Sequence, residues 1–267
     1  MINPVHADLP AWKKILIQLK SRNRLLYAFS LISLAGALIS GILIFVSPME
    51  IGDLPVWFKP LRFFLSSAIM SATLAWIMVY LQNQQTVRIY SRALVITLGI
   101  ELVIISLQAA RGRASHFNHN TEGDDILYGI MGLSIVIFTL WTAWICWSFF
   151  RQKSYPLWMS EGYLWGIRMG LLFFVVFALQ GGHMSWFDQH SVGGMDGSPG
   201  LPLTNWSEWY GDLRVPHFFG MHSLQLLPLI GYYFFPKKST LLVMAITWLV
   251  FVLLLYWQAL EGFPLIP

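Results

Sequence analysis

The chain has 267 residues, of which 56% are hydrophobic and 11% charged, and its mean hydropathy is +0.60. A soluble domain carries about a quarter charged residues, so the composition excludes an ordinary globular enzyme and indicates an integral membrane protein. The net charge of +4 does not indicate nucleic acid, because the basic residues follow membrane topology, and the single cysteine, Cys146, excludes a disulfide framework or a thiolate metal site.

In chain order, residues 1–24 form a polar, basic segment that is too long for the front of a cleavable signal peptide. Seven apolar runs follow, at 25–47, 63–82, 93–110, 126–150, 163–180, 217–235 and 240–259. Each is near the ~20 residues that cross a ~30 Å hydrocarbon core as a helix. None alternates as a strand would, so a barrel is not expected. The expected fold is an all-α integral membrane protein. One seven-transmembrane-helix bundle spans 25–259, with long loops at 111–125 and 181–216 and a tail at 260–267.

Loop charge sets the expected orientation, since cytoplasmic loops are rich in Lys and Arg. With the N-terminus inside, 11 of the 17 basic residues are cytoplasmic and 10 of the 13 acids are outside. The C-terminus is then extracytoplasmic. His116, His119, His183, His190, His217 and His222 all fall outside, and only His6 is inside. The inner loops are short, whereas 181–216 is long and contains GGMDGSPGLPL, rich in turn-forming residues.

Four stretches carry a likeness: WFKPLRFFLS (57–66), LQAARGRASHFN (107–118), MDGSPGLPLTNWS (195–207) and GDLRVPHFFGMHSLQLLPL (211–229). On these the chain resembles a family of uncharacterised bacterial multi-pass membrane proteins, over most of residues 57–230. The resemblance implies a bacterial cytoplasmic membrane location and an important outer face. It implies no reaction. The stretch GGHMSWFDQ (181–189) departs from the pattern.

The polar chemistry begins in the third run. Glu101 sits near mid-membrane, where an acid is costly and marks a functional hypothesis with a partner to be named. Gln108 is seven residues on, on the same helical face, and Arg111 follows within a turn. Arg168, about 5 Å deeper at 1.5 Å per residue, is the expected partner of Glu101, either as a structural ion pair or as part of a proton route. Next comes H-F-N-H, with His116, Asn118 and His119 in a loop, a weak metal signal. The sixth run opens with Asp212, Arg214, Pro216, His217 and His222, with Gln225 on the face of His222. His217 and His222 are about 140° apart on a helix, so they cannot easily chelate one metal together.

Histidines from several spans at one surface suit a b-type haem, with arginines for its propionates. The leading expectation is a membrane redox protein. His116, His190, His217 and His222 hold haem b or another transition metal. Arg111, Arg214, Asn118, Asp212 and Gln225 complete the cofactor site, and Glu101 and Gln108 form a polar route inward. A quinone or a redox protein would be the partner, besides the lipid bilayer. The alternatives are a metal-dependent membrane hydrolase acting on a lipid and a proton-coupled transporter or sensor without a cofactor. Ser33, Ala37 and Gly41 read as a small-residue helix contact. Trp141, Trp144 and Trp147 read as a packing and interface stripe.

Overall fold

Nine helices carry the described chain, and the reason is the solvent. In lipid every backbone N–H and C=O must be satisfied within its own segment, which a helix does. The computed structural model describes residues 9–52 and 54–266; His6 and Asp53 lie outside them. The helices are α1 (Ala11–Arg22), α2 (Arg24–Val46), α3 (Phe58–Ile77), α4 (Gln84–Ala110), α5 (Glu122–Arg151), α6 (Glu161–Phe187), α7 (Arg214–Met221), α8 (Ser223–Tyr233) and α9 (Lys238–Leu260). Four two-residue strands add little: β1 (Glu50–Ile51), β2 (Leu54–Pro55), β3 (Ser191–Val192) and β4 (Gly211–Asp212). Six helices among the described residues are long and apolar enough to cross a membrane: α2, α3 with a 3-10 turn to Tyr80, α4, α5, α6 and α9.

The chain divides into two compact units. The first contains residues 1–49 and 55–113, the second 50–54 and 114–267. In the first unit α2 packs most extensively on α3, and α1 reaches both. Small residues allow the α2–α3 approach. Ser33 and Ala37 are buried as expected, but the face continues through Ser40. A Cβ on Gly41 would meet nothing, so Gly41 is not a contact; Gly36 is, with the Phe64 ring against it. Ser30 Oγ donates to Ala68 O at 2.9 Å across this contact. Arg22 closes one end. Its Nη1 donates to Trp76 O at 2.7 Å and to Tyr80 Oη at 2.9 Å, and its guanidinium lies 4.0 Å from the Trp76 ring centre.

In the second unit the expected single span at 217–235 is two helices. At His222 the backbone opens to ψ −4°, and Gln225 N bonds His222 O at 3.0 Å, an i to i+3 bond. Such a 3-10 step inside a helix marks a hinge or a sequence under strain. Pro228 adds a second defect, since it donates no N–H within α8.

Together α7 and α8 run antiparallel to α6. Gly162 faces Phe235 O, Gly166 faces Leu227 O, Gly170 faces Ser223 O, Phe177 faces Gly220 and Gly181 faces His217. A Cβ at Gly162 or Gly166 would run into backbone, so glycine is required for this approach. Beyond the glycine contact Phe173, Phe177, Leu227, Ala245 and Val252 form an apolar core with α9.

Candidate functional site

The sequence concentrates polar residues at one end of the second unit, and the structure builds a cap there. It consists of segment 114–121, the α5 N-terminus, the α6 C-terminus and loop 188–213. The expected loop at 181–216 is shorter at both ends, because α6 runs on to Phe187 and α7 starts at Arg214. His183 is therefore helical, and its Nδ1 meets Tyr256 Oη of α9 at 2.7 Å.

Asp212 organises the loop. Its side chain is completely buried beside an Arg214 side chain that is 24% exposed. One carboxylate oxygen accepts from Arg214 N and Nε, each at 2.9 Å, and the other from Arg214 Nη2 at 2.6 Å and Ser207 N at 2.9 Å. Arg214 also donates to Asn205 O. Burial alone would raise the Asp212 pKa. The hydrogen bonds and charge of Arg214, with smaller help from His190 and Ser207 N, outweigh it and lower the pKa below its ordinary value. Antiparallel pairing of Ser191 with Asp212 and Val192 with Gly211 closes the loop base. Gly211 lies so close to Ala259 O of α9 that a Cβ would not fit.

The other fasteners of the cap are imidazoles on carboxylates. His119 Nδ1 contacts Asp125 Oδ1 in the first turn of α5, and His119 Nε2 lies 3.4 Å from Asp188 Oδ2 at the end of α6. These side chains are about half exposed, at 49%, 50% and 52%, so bulk protons reach them. Hydrogen bonds to Asp125 and Asp188 raise the His119 pKa above its ordinary value, against a smaller effect of desolvation. His190 Nδ1 lies 3.0 Å from Asp196 Oδ1, whose carboxylate also accepts from His190 N and Ser191 N. Asp125, Asp188 and Asp196 were not expected as partners. H-F-N-H-N-T-E-G-D-D already held Asp125, but no spacing rule links His119 to Asp188 or His190 to Asp196.

The other expected site residues have local partners. His116 Nδ1 meets Ser115 Oγ at 3.1 Å, and its ring packs on Phe117 and Tyr128. Asn118 is buried and holds its own turn, with Nδ2 donating to Ala114 O and Oδ1 accepting from Asn120 N. His217 lies against Gly181 and within hydrogen-bonding reach of Phe177 O, while its Nδ1 is buried with no hydrogen-bond partner among the described residues. His222 stacks edge-on against Phe218 at 4.1 Å and is bonded to Gln225. In the first unit Glu101 and Gln108 are both buried, and Gln108 accepts from Arg111 Nη1 at 3.0 Å. Gly112, at φ +66°, ends α4 just after Ala110.

Arg168, the expected partner of Glu101, serves the α5 C-terminus. Its Nε donates to Phe149 O at 3.0 Å and its Nη2 to Gln152 O at 3.4 Å, between the rings of Phe150, Tyr155 and Trp165. A cation there complements the helix dipole. Among the described residues no three or more of His, Cys, Asp and Glu are gathered as metal ligands would be. Set against protein-family models, curated proteins and solved structures, the chain matches none.

Proposed function

We propose that this is a seven-span protein of the bacterial cytoplasmic membrane that responds to extracytoplasmic pH, as a sensor or a proton-coupled transporter without a cofactor. Two features support the topology. α7 and α8 together cover residues 214–233, about 30 Å of helix at 1.5 Å per residue, and they follow α6 along most of its length. The loop charges favour the N-terminus inside and the C-terminus outside.

The observation that carries the function is His119 held between Asp125 of α5 and Asp188 of α6. An imidazole is charged or neutral within the physiological range, so its grip on two carboxylates changes there. The sign follows from the raised pKa. The stabilisation is fully present below the ordinary histidine pKa of about 6.5 and is lost as pH rises through the higher folded value. His190 on Asp196 adds a second contact of the same chemistry in the adjoining loop. Exposed ion pairs stabilise weakly, so this device grades loop order and does not unfold the protein.

The test is a spin label at Met195, which is 83% exposed in loop 188–213. The label is placed by Met195→Cys in a Cys146→Ser background, in vesicles. The label should become more mobile from pH 5.5 to pH 8, and His119→Gln with His190→Gln should abolish the change. Identical spectra at both pH values would contradict the reading.

One observation favours the redox alternative, with haem b or a transition metal and a quinone or redox-protein partner. His217 Nδ1 is buried without a hydrogen-bond partner among the described residues, as an imidazole nitrogen reserved for a metal would be. His217 would then be the ligand, and the group would supply electron transfer. An absorbance spectrum with elemental analysis decides it: a Soret band that shifts on reduction supports the redox reading, and a preparation without iron or copper removes it.

A further inference from the structure

Apart from the cap, the most one-sided surface is the end of the first unit that contains α1. Lys13, Lys14, Lys20, Arg22, Arg24, Arg88 and Arg92 all belong to this end. Three hydrogen bonds fix the shared end. Arg22 bonds Trp76 O and Tyr80 Oη at the end of α3, and Asn23 Nδ2 bonds Ser91 Oγ near the start of α4. The described residues of the unit are poor in acids. Its one described acid is Glu101, buried in α4 and 17 residues, about 25 Å, from the start of that helix.

α1 is also amphipathic. Trp12, Ile15, Leu16 and Leu19 fall on one face at helical spacing, with Lys13 and Lys20 on one flank and Arg22 on the other. Leu19 is buried against the unit, whereas Trp12 and Ile15 are 58% and 48% exposed. Arg22 is committed within the protein. Lys13 and Lys20 of α1, Arg24 of α2, and Arg88 and Arg92 of α4 are exposed, and the apolar edge of α1 starts with Trp12.

We infer that α1 lies in the membrane interface and that this end binds anionic phospholipid headgroups. An apolar face with Trp, flanked by Lys and Arg, fits the boundary between acyl chains and negative headgroups. The surplus positive charge selects anionic over zwitterionic lipid, while the apolar edge binds both. The inference is independent of the pH-responsive cap.

The test uses the full chain in mixed micelles of phosphatidylglycerol and phosphatidylcholine, with retained lipids counted by native mass spectrometry at low salt. The wild type should retain phosphatidylglycerol in preference. Each cation removed should lower that preference by about fivefold, so that Lys13→Gln, Lys20→Gln and Arg24→Gln together lower it by about a hundredfold. Trp12→Ser should lower retention of both lipids alike. An unchanged preference in the triple variant would overturn the inference, and so would an equal loss per charge in Lys237→Gln with Lys238→Gln, which would reduce the effect to net charge. Loss of binding to a polyglutamate peptide with the lipid preference intact would assign the surface to an acidic polypeptide and overturn it too.

Discussion

The two units divide the charged residues unevenly. The first holds 11 of the 17 basic residues and two of the 13 acids; the second holds six and 11. All six described histidines are in the second unit. The difference is one of chemistry as well as sign. Lys and Arg keep their charge across the physiological range, so the first unit presents a fixed electrostatic surface. The second places imidazoles on carboxylates, whose mutual attraction depends on pH. Within its cap the same contrast recurs. Asp212 with Arg214 is a buried ion pair, whereas His119 and His190 hold their carboxylates through imidazoles.

Removing the buried ion pair should have the largest effect. Asp212→Ala leaves Arg214 without its buried carboxylate, a loss of about 3 kcal/mol, at the low end for a broken buried pair because Arg214 is partly exposed. Its lowered pKa fixes the sign. The contribution is present above the unfolded carboxylate pKa and is lost as pH falls through the folded value, so in a His190→Gln background, which removes the imidazole charge acting on Asp212, the loss should be constant between pH 5 and pH 8. Unfolding in mixed micelles at several pH values measures it, and a loss that varied with pH across this window would erase the contrast between ion pair and imidazole.

Next in size is Gly166→Val, which forces atoms into the Leu227 carbonyl and should cost about 2 kcal/mol, as overpacking does. Gly129→Val, where a Cβ meets nothing, should be near neutral in the same unfolding assay. In the first unit Arg22→Met removes two hydrogen bonds and a stacked cation. It should cost about 1.5 kcal/mol, equally at pH 5.5 and pH 8. A pH-dependent loss there would break the distinction between the units.

Much of the fold was legible because lipid enforces a single pattern. Length and apolarity located six membrane-length helices; α2, expected at 25–47, is Arg24–Val46, but the first nine residues of α4 and the last seven of α6 lay outside the expected runs. The division at His222 was not legible. It comes from a backbone step and from the fit against α6, and neither leaves a composition signal. The glycines at 162, 166 and 170 form a four-residue repeat along that face of α6, a signal that went unread in the sequence. Small-residue reasoning applied to α2 found Ser33 and Ala37 but misassigned Gly41. At the candidate site the sequence located the histidines and not their partners, since Asp125 and Asp188 come from different helices and meet His119 only after folding. Arg168 shows the converse. Depth counting named it for Glu101 and gave no sign of the α5 carbonyls and three aromatic rings that surround it.

The smallest expected effect bears most directly on the central claim. Hydrogen–deuterium exchange of the full chain in lipid, corrected for the intrinsic pH dependence of exchange, compares the two ends of loop 188–213. From pH 5.5 to pH 8, protection of residues 114–121 and 188–196 should fall, while that of residues 205–214 around Asp212 should hold. Equal change at both ends, or none at either, would contradict a cap with titratable fasteners and a permanent anchor.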